Sequence, residues 1–133
     1  MRDHVRLQTA ILLRRLAYQA GHASNSGNAD IVHDLRVATR RLSNCLRIFA
    51  QFFPGHSAKR IRRRLDSLME LAGAVRDLDI ALELLSKAGM PAKAALAGRL
   101  REERRKAANR LAREIRLWKS RGFSRKWRSR LEL

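Results

Sequence analysis

The chain has 133 residues, 30 Lys and Arg against 12 Asp and Glu, a formal charge of +18 and 45% hydrophobic residues. That apolar fraction is too high for a disordered basic tail, and the length suits one domain that buries roughly two-thirds of its unfolded surface. A folded domain this cationic tolerates its self-repulsion best when a polyanion occupies the surface, which disfavours enzymes of small neutral substrates.

In the first segment Arg14 and Arg15 interrupt the one apolar run near the N-terminus, residues 9–13, so no signal peptide is expected. No segment has the length of a membrane span, and Cys45 is the only cysteine, so the chain reads as cytoplasmic. Glycine and proline fall mostly in three clusters, at residues 21–28, 53–57 and 87–91. The stretches between them are rich in Leu, Ala, Arg and Glu and poor in β-branched residues, which is helix composition. They predict helices over residues 3–20, 29–53, 57–86 and 91–119, with Pro91 in the first turn of the last one, where a missing N–H costs nothing. Short connections make neighbours antiparallel, so the expected fold is all-α: one four-helix bundle over residues 1–133. Gly122 ends the fourth helix and leaves a short basic helical tail whose Phe123 and Trp127 can dock on the bundle.

In the second helix Leu35, Leu42, Leu46, Phe49 and Phe53 form one core stripe. On the opposite side His33, Arg36, Arg40, Asn44 and Arg47 fall within about 80° of one another at 100° per residue, with no carboxylate among them. A solvated face is the ordinary reading of such a surface. Solvated faces usually mix signs, however, because stacked Arg at i,i+4 repel, so a ligand face is the sharper one. Of the 30 basic residues 24 are Arg and 6 are Lys. The planar guanidinium fork pairs bidentately with phosphate oxygens, although a GC-rich coding background also favours Arg.

The third helix opens with Arg62, Arg63 and Arg64, which would extend the basic track. Its core stripe runs through Ile61, Leu65, Leu68, Ala72 and Val75, and the same period places Arg76 and Asp79 where core belongs. Either the helix kinks near Gly73, or Arg76, Asp77 and Asp79 are partly buried and paired. Such pairing would hold the bundle in register, or would orient an Arg or His of the second helix. In the fourth helix Leu96, Leu100, Ala107, Leu111, Ile115 and Trp118 form the apolar stripe, with Arg104 among them reaching inward or snorkelling out. Arg105, Arg110, Arg113 and Arg116 spread round the wheel as solvent positions.

Catalytic patterns are absent: there is no Gly-rich nucleotide loop and no nucleophile elbow, and Asp77 and Asp79 at i,i+2 point to different sides of a helix. No enzyme and no cofactor are expected. His4, His22, His33 and His56 are never i,i+4 to one another. A metal-chelating module would need a site across helices with Asp30, Asp77 or Asp79, against the repulsion of many Arg. Nucleic acid is the main rival ligand, since any such bundle binds it non-specifically through counterion release. Single-strand binding wants aromatics among the cations, and the basic face of the second helix has none; Phe49, Phe52 and Phe53 cluster at its far end. Docking to an acidic protein is a third possibility.

The run Val32-His33-Asp34-Leu35-Arg36-Val37-Ala38-Thr39-Arg40-Arg41-Leu42, followed by Leu46 and Phe49, closely resembles the signature of CHAD domains, the conserved histidine α-helical domains. Leu71-Ala72-Gly73-Ala74-Val75-Arg76-Asp77-Leu78-Asp79 resembles that family's second block. The resemblance implies a non-enzymatic helical module that binds inorganic polyphosphate, targets polyphosphate granules and occurs joined or adjacent to triphosphate-processing enzymes. An older proposal for the family has its histidines chelate metal. By position, His33, Arg36, Arg40 and Arg41 match the first block, Arg76, Asp77 and Asp79 the second, and Arg104 and Arg121 weaker positions. Where the family often has a further basic residue this chain has Ser43, which implies that this contact is either lost or shifted to Arg47. The expected polyphosphate contacts are therefore His33, Arg36, Arg40, Arg41, Arg47, Arg62, Arg63, Arg64 and Arg104. Arg76, Asp77 and Asp79 brace them, and His33 adds a hydrogen bond that strengthens on protonation. The family domain has two similar halves and this chain resembles the first, which implies a homodimer supplying the other half or a piece of a longer domain.

Overall fold

The computed structural model describes all 133 residues. The Leu-, Ala- and Arg-rich segments form five α-helices and one 3-10 turn, with no strand: α1 (Arg2–Ala23), α2 (Ala29–Ile48), the 3-10 turn (Ala50–Phe52), α3 (Gly55–Lys87), α4 (Ala95–Ser120) and α5 (Phe123–Arg130). The all-α expectation holds. Helix α1 packs on α2, α2 on α3 and α3 on α4, while α5 lies against α1 and α4. Between them Leu13, Leu16, Leu35, Leu42, Leu46, Ile61, Leu65, Leu68, Leu111 and Ile115 are buried in one apolar cluster. The stripes expected on α2 and α3 contribute Leu35, Leu42, Leu46, Phe53, Ile61, Leu65, Leu68, Ala72 and Val75 to it, while Phe49 packs against it half-buried.

Three boundaries differ from the sequence reading by three residues or more. Helix α1 runs on to Ala23, which is itself buried in the core. Helix α2 begins at an Asn28 cap, whose side chain accepts from the Asp30 N–H at 2.8 Å, and stops at Ile48 instead of reaching Phe53. Phe53 precedes Pro54, and the proline ring pushes it into an extended conformation, φ −124° and ψ 156°. Pro91 is not in the first turn of α4. Helix α3 closes in a Schellman turn, with Gly89 at φ +84° donating to the Ser86 carbonyl and Met90 donating to the Leu85 carbonyl. The Pro91 carbonyl then accepts from Ala94 in a separate turn, and α4 starts only at Ala95.

Helix α3 runs unbroken through Gly73. At 33 residues it is about 50 Å long, against about 30 Å for the 20 residues of α2, at 1.5 Å per residue. Its C-terminal part and the start of α4 therefore form a hairpin that outreaches α1 and α2. Leu96 and Leu100, expected in the core, are 40% exposed and half-buried respectively, and Ile80 and Leu84 on α3 are 39% and 62% exposed. The helical period of the α4 stripe was right; the neighbour that would cover its first two leucines is missing.

At the other end α5 seals the core. Phe123 and Trp127 are buried against Trp118 in edge-on and tilted contacts, with ring centroids 5.1–5.3 Å apart. Leu131 behind them is fully buried, and Glu132 reaches Arg6 of α1 at 3.3 Å.

Candidate functional site: the cationic faces of α2 and α3

Burying Leu35, Leu42 and Leu46 fixes the rotation of α2 and turns its basic side outward. His33, Arg40, Arg41 and Arg47 are exposed and Arg36 is half-buried. The chain has four ion pairs, made by Arg6, Lys87, Arg104 and Arg105, and none involves α2. The buried Nε of Arg36 has no hydrogen-bond partner. A row of cations that finds no carboxylate within its own fold is poised for an external anion.

These residues do not all face one way. Arg41 turns towards α1, where it lines a groove with Arg14 and Arg15. On α3, Arg62, Met69 and Arg76 recur every seven residues, share one stripe and are all half-buried. Arg64, on the other flank of the core stripe, lies in a small cleft of about 80 Å³ with Arg60, Arg121, Lys126 and Arg130 over Trp118 and Trp127. Helix α3 packs on α2 and α4, so the Arg62 stripe borders α2 and the Arg64 flank borders α4 and α5. Consecutive residues of a helix diverge by 100°, so Arg62, Arg63 and Arg64 splay to different sides and do not form one line. Arg63 is exposed between the other two.

The second-block residues are resolved by geometry. Asp79 binds Arg104 of α4 through both carboxylate oxygens, the second at 3.2 Å, and the same guanidinium donates to the Gly27 carbonyl in the α1–α2 loop. Their side chains are 15% and 23% exposed. Asp79 thus ties α3 to α4 and to the loop, the register-holding arrangement, and does not orient a residue of α2. Arg76 and Asp77 make no ion pair; Asp77 is exposed. The loop passes so close to α4 that a Cβ on Gly27 would lie 3.2 Å from that of Ala108, a tight contact that a side chain there would have to push aside by a few tenths of an ångström. Arg116, expected to face only solvent, donates to the Ser24 carbonyl at 3.2 Å, and Lys119 donates to the Ser24 hydroxyl at 3.4 Å.

Sequence reasoning missed Arg14, Arg15 and Tyr18 of α1, which flank the α2 face, and the cations gathered round Arg64. The i,i+4 pair Arg60 and Arg64 was a legible signal for the latter. No three His, Cys, Asp or Glu side chains converge in a way that could hold a metal ion. The two displaced titrations belong to one exposed pair away from these faces. The hydrogen bond from Arg105 holds Glu102 below the usual carboxylate range, and the same bond raises Arg105. No helix is long and apolar enough to cross a membrane.

The family model described as the CHAD domain matches residues 8–133, nearly the whole chain. No curated protein and no solved structure gives a significant match.

Proposed function

The chain belongs to the CHAD domain family, and from that premise we propose that it binds inorganic polyphosphate without turning it over. The observation that carries this reading is the set of unpaired cations on α2: His33, Arg36, Arg40 and Arg47 on one face and Arg41 turned towards α1 make no ion pair with any carboxylate of the chain. Guanidinium forks at helical spacing meet successive phosphates of a flexible polyanion, and Arg62 extends the surface across the seam with α3. Arg104 contributes differently from the others. It is committed to Asp79 and Gly27 and holds the loop that leads into α2. The four long helices are read as an antiparallel bundle, on the support of the sequential packing of α1 on α2, α2 on α3 and α3 on α4. Cytoplasmic location, targeting to polyphosphate granules, work beside triphosphate-processing enzymes and completion of the domain by a second copy belong to the same reading.

Competition at physiological salt tests it. Polyphosphate is expected to displace RNA and duplex DNA from the protein at a far lower phosphate concentration than either displaces polyphosphate. It should also raise the melting temperature, because a ligand at 100 times its Kd adds about 2.7 kcal/mol of stability. If nucleic acid wins the competition, the cations serve counterion release on a nucleic acid and the polyphosphate reading fails.

A further inference from the structure

The groove between α1 and α2 is chemically unlike the α2 face beside it. It encloses about 540 Å³, within the range of small-molecule sites. Its floor is apolar, formed by Ile11, Leu12, Val37 and Ala38. Its rim carries Arg14, Arg15 and Arg41, all exposed and none in an ion pair. Tyr18, the only tyrosine, stands at the edge with 63% of its surface exposed and its ring centroid 4.5 Å from that of His22. Asp34 lines the same groove and makes no ion pair with any of the three arginines around it.

Inorganic polyphosphate has no use for an apolar floor, an exposed phenol ring or a carboxylate. A nucleotide uses all three: the base stacks on the ring and lies over the floor, the carboxylate accepts from ribose hydroxyls or an exocyclic amine, and the arginines take the phosphates. We propose that this groove binds a nucleoside polyphosphate, with the base at Tyr18 and the phosphate chain on Arg14, Arg15 and Arg41. The site shares Arg41 with the polyphosphate face and otherwise stands on residues that face does not use. It also supplies what the basic side of α2 lacks, an aromatic ring among the cations, and supplies it from a different helix.

The test compares ATP with tripolyphosphate, both without divalent metal and at the same salt. The nucleotide carries no more charge than tripolyphosphate, so tighter binding has to come from the base and sugar. The wild-type chain is expected to bind ATP about tenfold more tightly, in line with a base–aromatic stack. Tyr18→Ala should bring ATP down to the tripolyphosphate level and leave tripolyphosphate unchanged, while Tyr18→Phe should keep the preference. Tyr18 is exposed, so neither change threatens the core. Equal affinities in the wild type, or a preference that survives Tyr18→Ala, would overturn the nucleotide site and leave the polyphosphate reading standing. Failure to bind either anion would contradict both.

Discussion

The hairpin formed by residues 77–103 and the body it projects from share two helices yet differ in charge and cover. The hairpin holds four cations, Lys87, Lys93, Arg99 and Arg101, against five anions, Asp77, Asp79, Glu83, Glu102 and Glu103. The hairpin is therefore −1 and the body +19, so the body carries more than the whole of the net charge of +18. In the body the core stripes are sealed, with Leu65, Leu68, Leu111 and Ile115 at 0–2% exposure, whereas in the hairpin the α4 stripe loses its cover and Leu96 is 40% exposed; single exposed side chains off the stripes, such as Ile48 in the body and Leu84 in the hairpin, occur in both. The boundary is marked by Asp79 and Arg104, the level at which the loop into α2 crosses α4. The contrast teaches that charge on this chain is segregated: a polyanion is offered the body and given no net attraction by the hairpin.

The largest expected effect is on stability. Leu68→Ala should cost about 3 kcal/mol by urea unfolding, as fully buried leucines do, and Leu84→Ala less than about 0.5 kcal/mol. Comparable losses at the two positions would mean that the hairpin is covered in solution, and the contrast would break. Next comes the boundary. Removing one partner of a fully buried ion pair costs about 3–5 kcal/mol, and for this partly exposed pair we expect about 2 kcal/mol from Asp79→Ala. The double variant Asp79→Ala, Arg104→Ala should lose less than the sum of the single changes, because the second substitution removes the charge stranded by the first. Smallest is the exposed Glu83–Lys87 pair within the hairpin, where Glu83→Ala should shift stability by no more than about 0.5 kcal/mol. A larger shift there would show electrostatics in the hairpin that its exposure does not explain.

The parts of this architecture governed by a single helix were legible in the sequence. Ile61, Leu65, Leu68, Ala72 and Val75 recur at the helical period and all are buried. The basic face of α2 follows from the same arithmetic, since its core stripe leaves it no other direction. What depends on a second element was not legible. Leu96 and Leu100 keep the period of α4, yet a period carries no record of where the facing helix ends. Charges on the α3 stripe announced a pairing, but the choice of Arg104 over a residue of α2 depends on which helix lies alongside at that level. Tyr18 has Arg14 and Arg15 at i−4 and i−3 on its own helix, a legible signal, but the groove it borders was not legible because Asp34, Val37, Ala38 and Arg41 come from α2. Leu131 drew no reading, and its burial follows from the docking of α5 on Trp118.

The central claim is that the placement of charge, and not its total, makes the polyphosphate site. Two variants that each lose three positive charges test it most directly: Arg36→Ala, Arg40→Ala, Arg41→Ala on α2, and Lys93→Ala, Arg99→Ala, Arg101→Ala in the hairpin. Polyphosphate affinity, measured by titration with helicity confirmed by circular dichroism, should fall at least about tenfold in the first, a loss of roughly 1.4 kcal/mol, and by less than about twofold in the second. Equal losses in the two proteins would mean that polyphosphate senses only the net charge, and would contradict the account.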